Sequence, residues 1–543
     1  MNDEWSYAFS ARHLAETGHI TYNGWAAPIV GWMMVLGAVA IKGFGFSYGV
    51  TRIAILFVSM GTAFLLERSL VRLGIAGWNA TVGTLAVVLS PLFLPLEFSF
   101  MTDVPGLFCL VLCLYCCLRA LQAGSDRAAL SWLAFAAIGN MVDGTVRQTA
   151  WLGVLVLVPS TAWLMKGRRG ALLLGGVLWL MGLLVVGGCM HWFLHQPYSV
   201  GDKLVEWAVP RGAFRLFGSA LLQNGLAVCL YLFPVLVGFA ARFPFRNRRA
   251  TGLLASSMAV LVALAVVRHR ARLDVHSYLA PFSGNYVSER GLLDGLEMAG
   301  VRPTVLPFGV RFVATIVVVS VILCFAILMM WFRTERRPDA RENDVSWRTT
   351  LLLLGPLSFA YFLLLCPRAL FRGLMYDRYL LPLIVLLLPL LLRLYQERIA
   401  ERLPALSLLA TLLFAGFGVA GMHDLFALYR ARLEAINEIR SAGVARTSIR
   451  GGWDYDGWTQ LEVTGYVNEP NLTVPAGAYH IPPSDDDGSA CQNAFHRFTP
   501  SIKARFMLSF DPSSCLGLAP FAPVRFRTWF APHQQTVYVV KLR

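Results

Sequence analysis

The stretch Asn2-Asp3-Glu4-Trp5-Ser6-Tyr7 sets two adjacent carboxylates at the head of an amphipathic segment running on through His13 to His19. A carboxylate held at a membrane surface can accept a proton from a hydroxyl or coordinate a metal ion. The plainer reading makes Asp3 a helix cap and Glu4 a first-turn acid favoured by the helix dipole. A third acid, Asp103, lies in Ser99-Phe100-Met101-Thr102-Asp103-Val104-Pro105, immediately before a long apolar run. There too a cap, by Thr102 or Asp103 with Pro105 in the first turn, is the plain alternative. Both acidic features stand at element ends, where they can converge on one cavity. Late in the chain, Tyr376-Asp377-Arg378-Tyr379-Leu380-Leu381-Pro382 offers a guanidinium at a helix end. Its planar fork suits a phosphate, with Arg147 and Arg372 as weaker candidates. An ion pair with Asp377, or snorkelling to the interface, competes with that role for Arg378.

These residues need a scaffold, and composition says of what kind. Of 543 residues, 56% are hydrophobic and only 15% charged, and the mean hydropathy is +0.58. That excludes an ordinary water-soluble protein and a disordered chain. The 47 Gly follow no triplet period, and 10 Cys are too sparse for a disulfide scaffold. The net charge of +15 is spread as clusters between apolar runs, not as a stripe with interleaved aromatics, so no nucleic-acid partner is expected.

A bilayer core needs about 20 apolar residues per helix. Twelve runs qualify, near 51–67, 78–96, 104–118, 128–142, 149–165, 171–190, 216–241, 250–267, 312–332, 349–366, 378–393 and 404–422. Alternate loops carry Arg68/Arg72, Arg119/Arg127, Lys166/Arg168/Arg169, Arg242 to Arg249, Arg333 to Arg341 and Arg393/Arg398, which the positive-inside rule makes cytoplasmic. The opposite set, with residues 97–103, 143–148 and 367–377, is then exterior, and so is the C-terminal region. Parity places Met1 outside with no span to carry it there, so a first span upstream of Met1 is expected. The run 25–44, with Pro28 near its start, reads as a helix lying on the outer face.

After Met422 no further run is long enough to span. Residues 424–440 have helical spacing and Thr536–Leu542 alternates like a strand, giving a small α/β domain. The segment Gly451 to Trp458 combines Gly and Asp with three aromatics, read as core packing around a turn ahead of sugar stacking. Asp485–Asp487 reads as a solvated loop. Cys491 and Cys515, the two thiols of this region, would be bridged in an oxidising compartment. His13, His19, His191, His195, His269 and His276 have no zinc-like pairing, and no metal ligands are assigned.

The first-loop acids and the segment after Thr102 resemble the membrane-embedded glycosyltransferases of the GT-C class, particularly the protein-mannosyltransferase and aminoarabinose-transferase-like superfamily. Asp3, Glu4, Tyr7 and Gly18 match its Asp-Glu pair, Tyr and helix-ending Gly; Pro28, Trp32, Gly45 and Arg52 follow in order. Thr102 to Pro105, with the helix ending in Leu118-Arg119-Ala120, is similar to its second-loop acid and third helix. Arg378-Tyr379-x-x-Pro382 looks like its late Arg-Tyr-x-x-Pro turn. A basic residue that often stands beside the paired prolines in the aminoarabinose branch is not matched, the stretch here being Trp25-Ala26-Ala27-Pro28.

The resemblance implies a polytopic α-helical membrane protein with a small exterior C-terminal α/β domain, divided as 1–50 first exterior loop, 51–422 spans and 423–543 soluble domain. It implies inverting transfer of a sugar from a polyprenyl-phosphate donor to a lipid, glycan or protein acceptor at the outer face of the cell (inner) membrane. Asp3, Glu4 and Asp103 would be the catalytic acids, and Tyr7, Arg378, Tyr379 and Arg147 the substrate-binding residues. No cofactor is assigned, and a divalent metal is left open. The competing reading is a lipid or solute transporter, whose polar sites usually lie near mid-bilayer; Asn140 and Asp143 are the nearest such residues here.

Overall fold

The computed structural model describes residues 3–201, 211–270, 274, 276–293, 298–331, 345–372, 375–469, 471–475, 491, 495–531 and 533–542. The chain is a polytopic α-helical membrane protein with a small C-terminal sheet domain. Two helices come first, α1 (Glu4–Thr17) and α2 (Gly31–Phe44). There follow α3 (Tyr48–Arg72), α4 (Gly77–Val88), α5 (Phe93–Glu97), α6 (Asp103–Leu121), α7 (Asp126–Asp143) and α8 (Val158–Leu164). Next come α9 (Ala171–Leu194), α10 (Ala213–Tyr231), α11 (Phe233–Ala240), α12 (Arg248–Arg270), α13 (Phe308–Trp331), α14 (Trp347–Arg372), α15 (Leu381–Arg398) and α16 (Ala405–Ser441), then α17 (Trp453–Thr464).

Among the described residues, nine helices are long and apolar enough to cross a membrane, and each falls on one of the twelve apolar runs. The other three runs fold differently. The run 78–96 breaks into α4 and α5 around Pro91, which lacks an N–H and whose ring crowds the preceding turn, so a break there is permitted. The run 128–142 becomes α7, which opens on the charged Asp126 and is capped by Ser125 accepting from the Ala128 N–H at 3.3 Å. The run 149–165 is a 3-10 turn, then a π segment over Gly153–Leu157, then α8. Asn140 patches the widened backbone there, accepting from the Val154 N–H at 2.7 Å and donating to the Ala150 carbonyl at 3.1 Å. Asn140 is thus a buried backbone partner. Arg393, placed in a loop by the sequence reading, is buried inside α15, donating to Glu397 at 2.6 Å and to Thr350 at 2.7 Å.

α16 continues without a break through residue 423 and carries the C-terminal domain on its extension. The sheet there has the order β3-β4-β6-β5, with β3 (Ile449–Arg450) parallel to β4 (Phe506–Ser509), and β6 (Gln535–Lys541) antiparallel to both β4 and β5 (Val524–Phe526). Ile436, Ile439, Ile449, Leu508, Val537 and Val539 form its core against α16. Cys491 and Cys515 are bridged. Asp485–Asp487 lie outside the described residues.

Gly451 to Trp458 does not form a free turn: it leads into α17, whose Trp453 is buried against α1. Trp5 and Trp453 meet edge-on at 5.1 Å, and Trp453 reaches Trp25 at 4.7 Å. A Cβ at Gly457 would stand 2.8 Å from the Trp5 ring, so only glycine allows this approach. We expect Gly457→Ala to cost about 1–3 kcal/mol through overpacking. A lowered thermal unfolding midpoint in detergent checks it.

Candidate active site

Asp3 is the residue preceding α1, but its side chain does not cap the helix. One carboxylate oxygen accepts from Trp25 Nε1 at 2.8 Å; the other accepts from Nη1 and Nη2 of Arg378, both at 3.2 Å. The Asp103 carboxylate takes a bond from Arg147 and stands 4.0 Å from Arg378. Thr102, ahead of α6, makes no side-chain cap either. Thus two acids that both had plain capping roles open to them instead converge on one guanidinium. Arg378 and Asp103 line a small cleft with Arg147, Tyr361 and Thr149. Its remaining walls are apolar: Leu107 and Leu110 from α6, and Leu381 and Pro382 from α15.

Glu4 does something else. Its fully buried carboxylate accepts from Arg52 Nε at 2.8 Å and Nη2 at 2.7 Å, and from the Phe100 N–H at 2.9 Å. It ties α1 to α3 and to the turn before α6. Burial would raise its pKa, but the Arg52 charge and hydrogen bonds, with that from the Phe100 N–H, outweigh that and hold it below the usual carboxylate range.

Arg378 is set by its neighbours. Asp377, fully buried, accepts from the backbone N–H of Arg378 at 2.8 Å, of Val287 at 2.8 Å and of Tyr286 at 3.1 Å. The competing expectation of a side-chain pair between Asp377 and Arg378 is therefore replaced by a backbone clamp. It pins the hairpin of β1 (Val287–Ser288) and β2 (Gly291–Leu292) beside the site. Tyr379 lies among three guanidiniums, its ring centroid 5.2 Å from Arg147, 4.8 Å from Arg368 and 5.3 Å from Arg378. Tyr7 is buried; burial, then the neighbouring Asp3 charge, pushes its phenol well up, so it stays protonated. The Arg372 side chain lies outside the described residues.

Among the described residues, Arg378 Nε and Asp103 Oδ2 at this junction are buried without a hydrogen-bond partner. Such groups are costly unless a ligand or water completes them. Among the described residues no group of three His, Cys, Asp or Glu side chains is placed to hold a metal ion. The structure thus joins Asp3, Asp103, Tyr7, Arg147, Arg378 and Tyr379, and turns Glu4 away into the packing. Reading the sequence did not find Trp25, Tyr286 or Tyr361, whose approach depends on long-range packing. Arg52 had a legible signal, a charge opening an apolar span.

Among solved structures the chain is similar to ArnT from Cupriavidus metallidurans bound to undecaprenyl phosphate, at 15% identity and a TM-score of 0.38, over 86% of this chain and 65% of that one. The same protein in the apo state gives 14% identity and a TM-score of 0.30, over 74% of this chain and 73% of that one. This chain therefore spans just under two thirds of the first structure's length. No family model and no curated protein matches the sequence.

Proposed function

We propose that the protein is an inverting glycosyltransferase, moving a sugar from a polyprenyl-phosphate donor to an acceptor at the outer face of the cell (inner) membrane, with 423–543 as an exterior domain over the spans. The observation that carries this reading is the meeting of the Asp3 and Asp103 carboxylates on Arg378 at an apolar-walled cleft. An acceptor hydroxyl or amine attacks the anomeric carbon from the side opposite the phosphate, Asp3 takes its proton, and the bond from the anomeric carbon to the phosphate oxygen breaks. The electron pair leaves with the polyprenyl phosphate. Trp25 keeps Asp3 in place while the donor phosphate takes over Arg378, whose Nε has no hydrogen-bond partner among the described residues. Arg147, bonded to Asp103 at the cleft wall, supplies a second positive charge. The phosphate is already a good leaving group, so placement and charge stabilisation are the main requirements.

The test supplies vesicles containing the protein with radiolabelled polyprenyl-phosphate sugars and candidate acceptors. Glycosidic product, lowered about 10²–10³-fold by Arg378→Ala with the fold intact, supports the reading. Arg378→Lys keeps the charge but loses the fork, and recovers only part of the rate. Labelled lipid crossing the bilayer with no glycosidic bond formed would make the protein a transporter instead.

A further inference from the structure

The loop between β5 and β6 touches α16 far lower than the rest of the C-terminal domain does. Trp529 stacks on His423, with centroids 4.2 Å apart and planes 12° from parallel. The Asp424 carboxylate accepts from the backbone N–H of Trp529 at 2.6 Å and of Phe530 at 3.1 Å, fixing the loop's height on the helix. Phe530 then packs on Phe417 at 4.9 Å. The apolar part of α16, from Ala405 to Met422, is about 27 Å long at 1.5 Å per residue, close to the thickness of a bilayer's hydrocarbon core. Trp529 therefore sits at the end of that apolar length, and Phe530 roughly one turn inside it. Leu409, Leu412, Leu413 and Val419 along the same apolar length of α16 are exposed. Trp529 itself is 63% exposed, and the exposed Arg525 and Arg527 stand just before it in the chain.

We propose that the end of β5 and the loop after it, residues 525–530, enter the phospholipid interface, with Trp529 and Phe530 among the upper acyl chains and Arg525 and Arg527 at the level of the lipid phosphates. An indole at this depth keeps its apolar body in lipid and its N–H in the headgroup region, and a guanidinium there meets phosphate oxygens. The loop thereby fastens the C-terminal domain to the bilayer as well as to α16. This inference rests on the depth of the loop and not on the transfer reaction.

The experiment introduces Trp529→Cys, labels it with a polarity-sensitive fluorophore and reconstitutes the full chain in phosphatidylcholine vesicles. Labelled wild type supplies the background from the other thiols. Lipid carrying a doxyl quencher high on its acyl chain should quench the label at least twofold more than it quenches a label at Glu434→Cys, about 18 Å beyond Met422 along α16. Aqueous iodide should show the reverse order. Because Trp529→Cys removes the stack on His423, Arg527→Cys repeats the measurement from an exposed side chain. Labels at 527 and 529 quenched by iodide and untouched by the doxyl lipid overturn the proposal. So do labels shielded from both quenchers, which would mean that protein covers the loop.

Discussion

Asp3→Asn lowers sugar transfer by about 10²–10⁴-fold, the range for removing a positioned general base. Asn keeps an oxygen for Trp25 Nε1 and nearly the same volume, so the side chain stays where it is, but it no longer takes a proton. The measurement is the initial rate of product formation in vesicles, paired with thermal unfolding of the same preparations. Asp3 and Arg378 are both mostly buried, their side chains 13% and 10% exposed, so Asp3→Asn also lowers the unfolding midpoint, and rates are compared at a temperature where both proteins remain folded. Rates at the wild-type level in a folded Asp3→Asn protein would remove Asp3 from the chemistry. Asp103→Asn is the informative partner. Asp103 is held by Arg147 and lies farther from Arg378, so its loss acts on placement. It therefore raises KM for the donor more than it lowers kcat.

The second large effect is on stability. Glu4→Ala strips the buried carboxylate from a partly buried Arg52 fork and leaves the Phe100 N–H unsatisfied. Breaking a buried ion pair from one side costs about 3–5 kcal/mol. Unfolding in detergent measures it, and a midpoint unchanged by Glu4→Ala would refute the tie between α1 and α3. The pH dependence has a definite direction. The Glu4 carboxyl is held below its ordinary 4.5 in the folded protein, so its stabilisation is complete above pH 4.5 and is lost as pH falls below it. The stability difference between wild type and Glu4→Gln accordingly shrinks over that window and stays constant above it.

Much of this molecule is legible along the chain. The twelve apolar runs are where the helices lie, because burial in lipid is a matter of composition and length. The helical spacing of 424–440 and the alternation of 536–542 both appear, in α16 and β6. The interruptions were less legible. A proline such as Pro91 or Pro234 permits a break without compelling one, and whether a run stays whole depends on what its neighbours offer the freed backbone. Asn140 shows the same limit, since its role exists only because Gly153 and Val154 come to it.

The sequence by itself determined the class of protein, the approximate placement of its helices and the acids and arginines available for chemistry. Only the tertiary structure decided which acid does what. Asp3 stands just before α1 and Glu4 opens it, and their side chains turn to different partners, Arg378 and Arg52. The rotation of α1 that chooses between them is set by Trp5 packing on Trp453 and Gly457, more than 440 residues away. The partner of Asp3, Arg378, is 375 residues distant, and no local pattern encodes that pairing. Side-chain direction follows from packing across the whole fold, and chemistry at a site follows from direction.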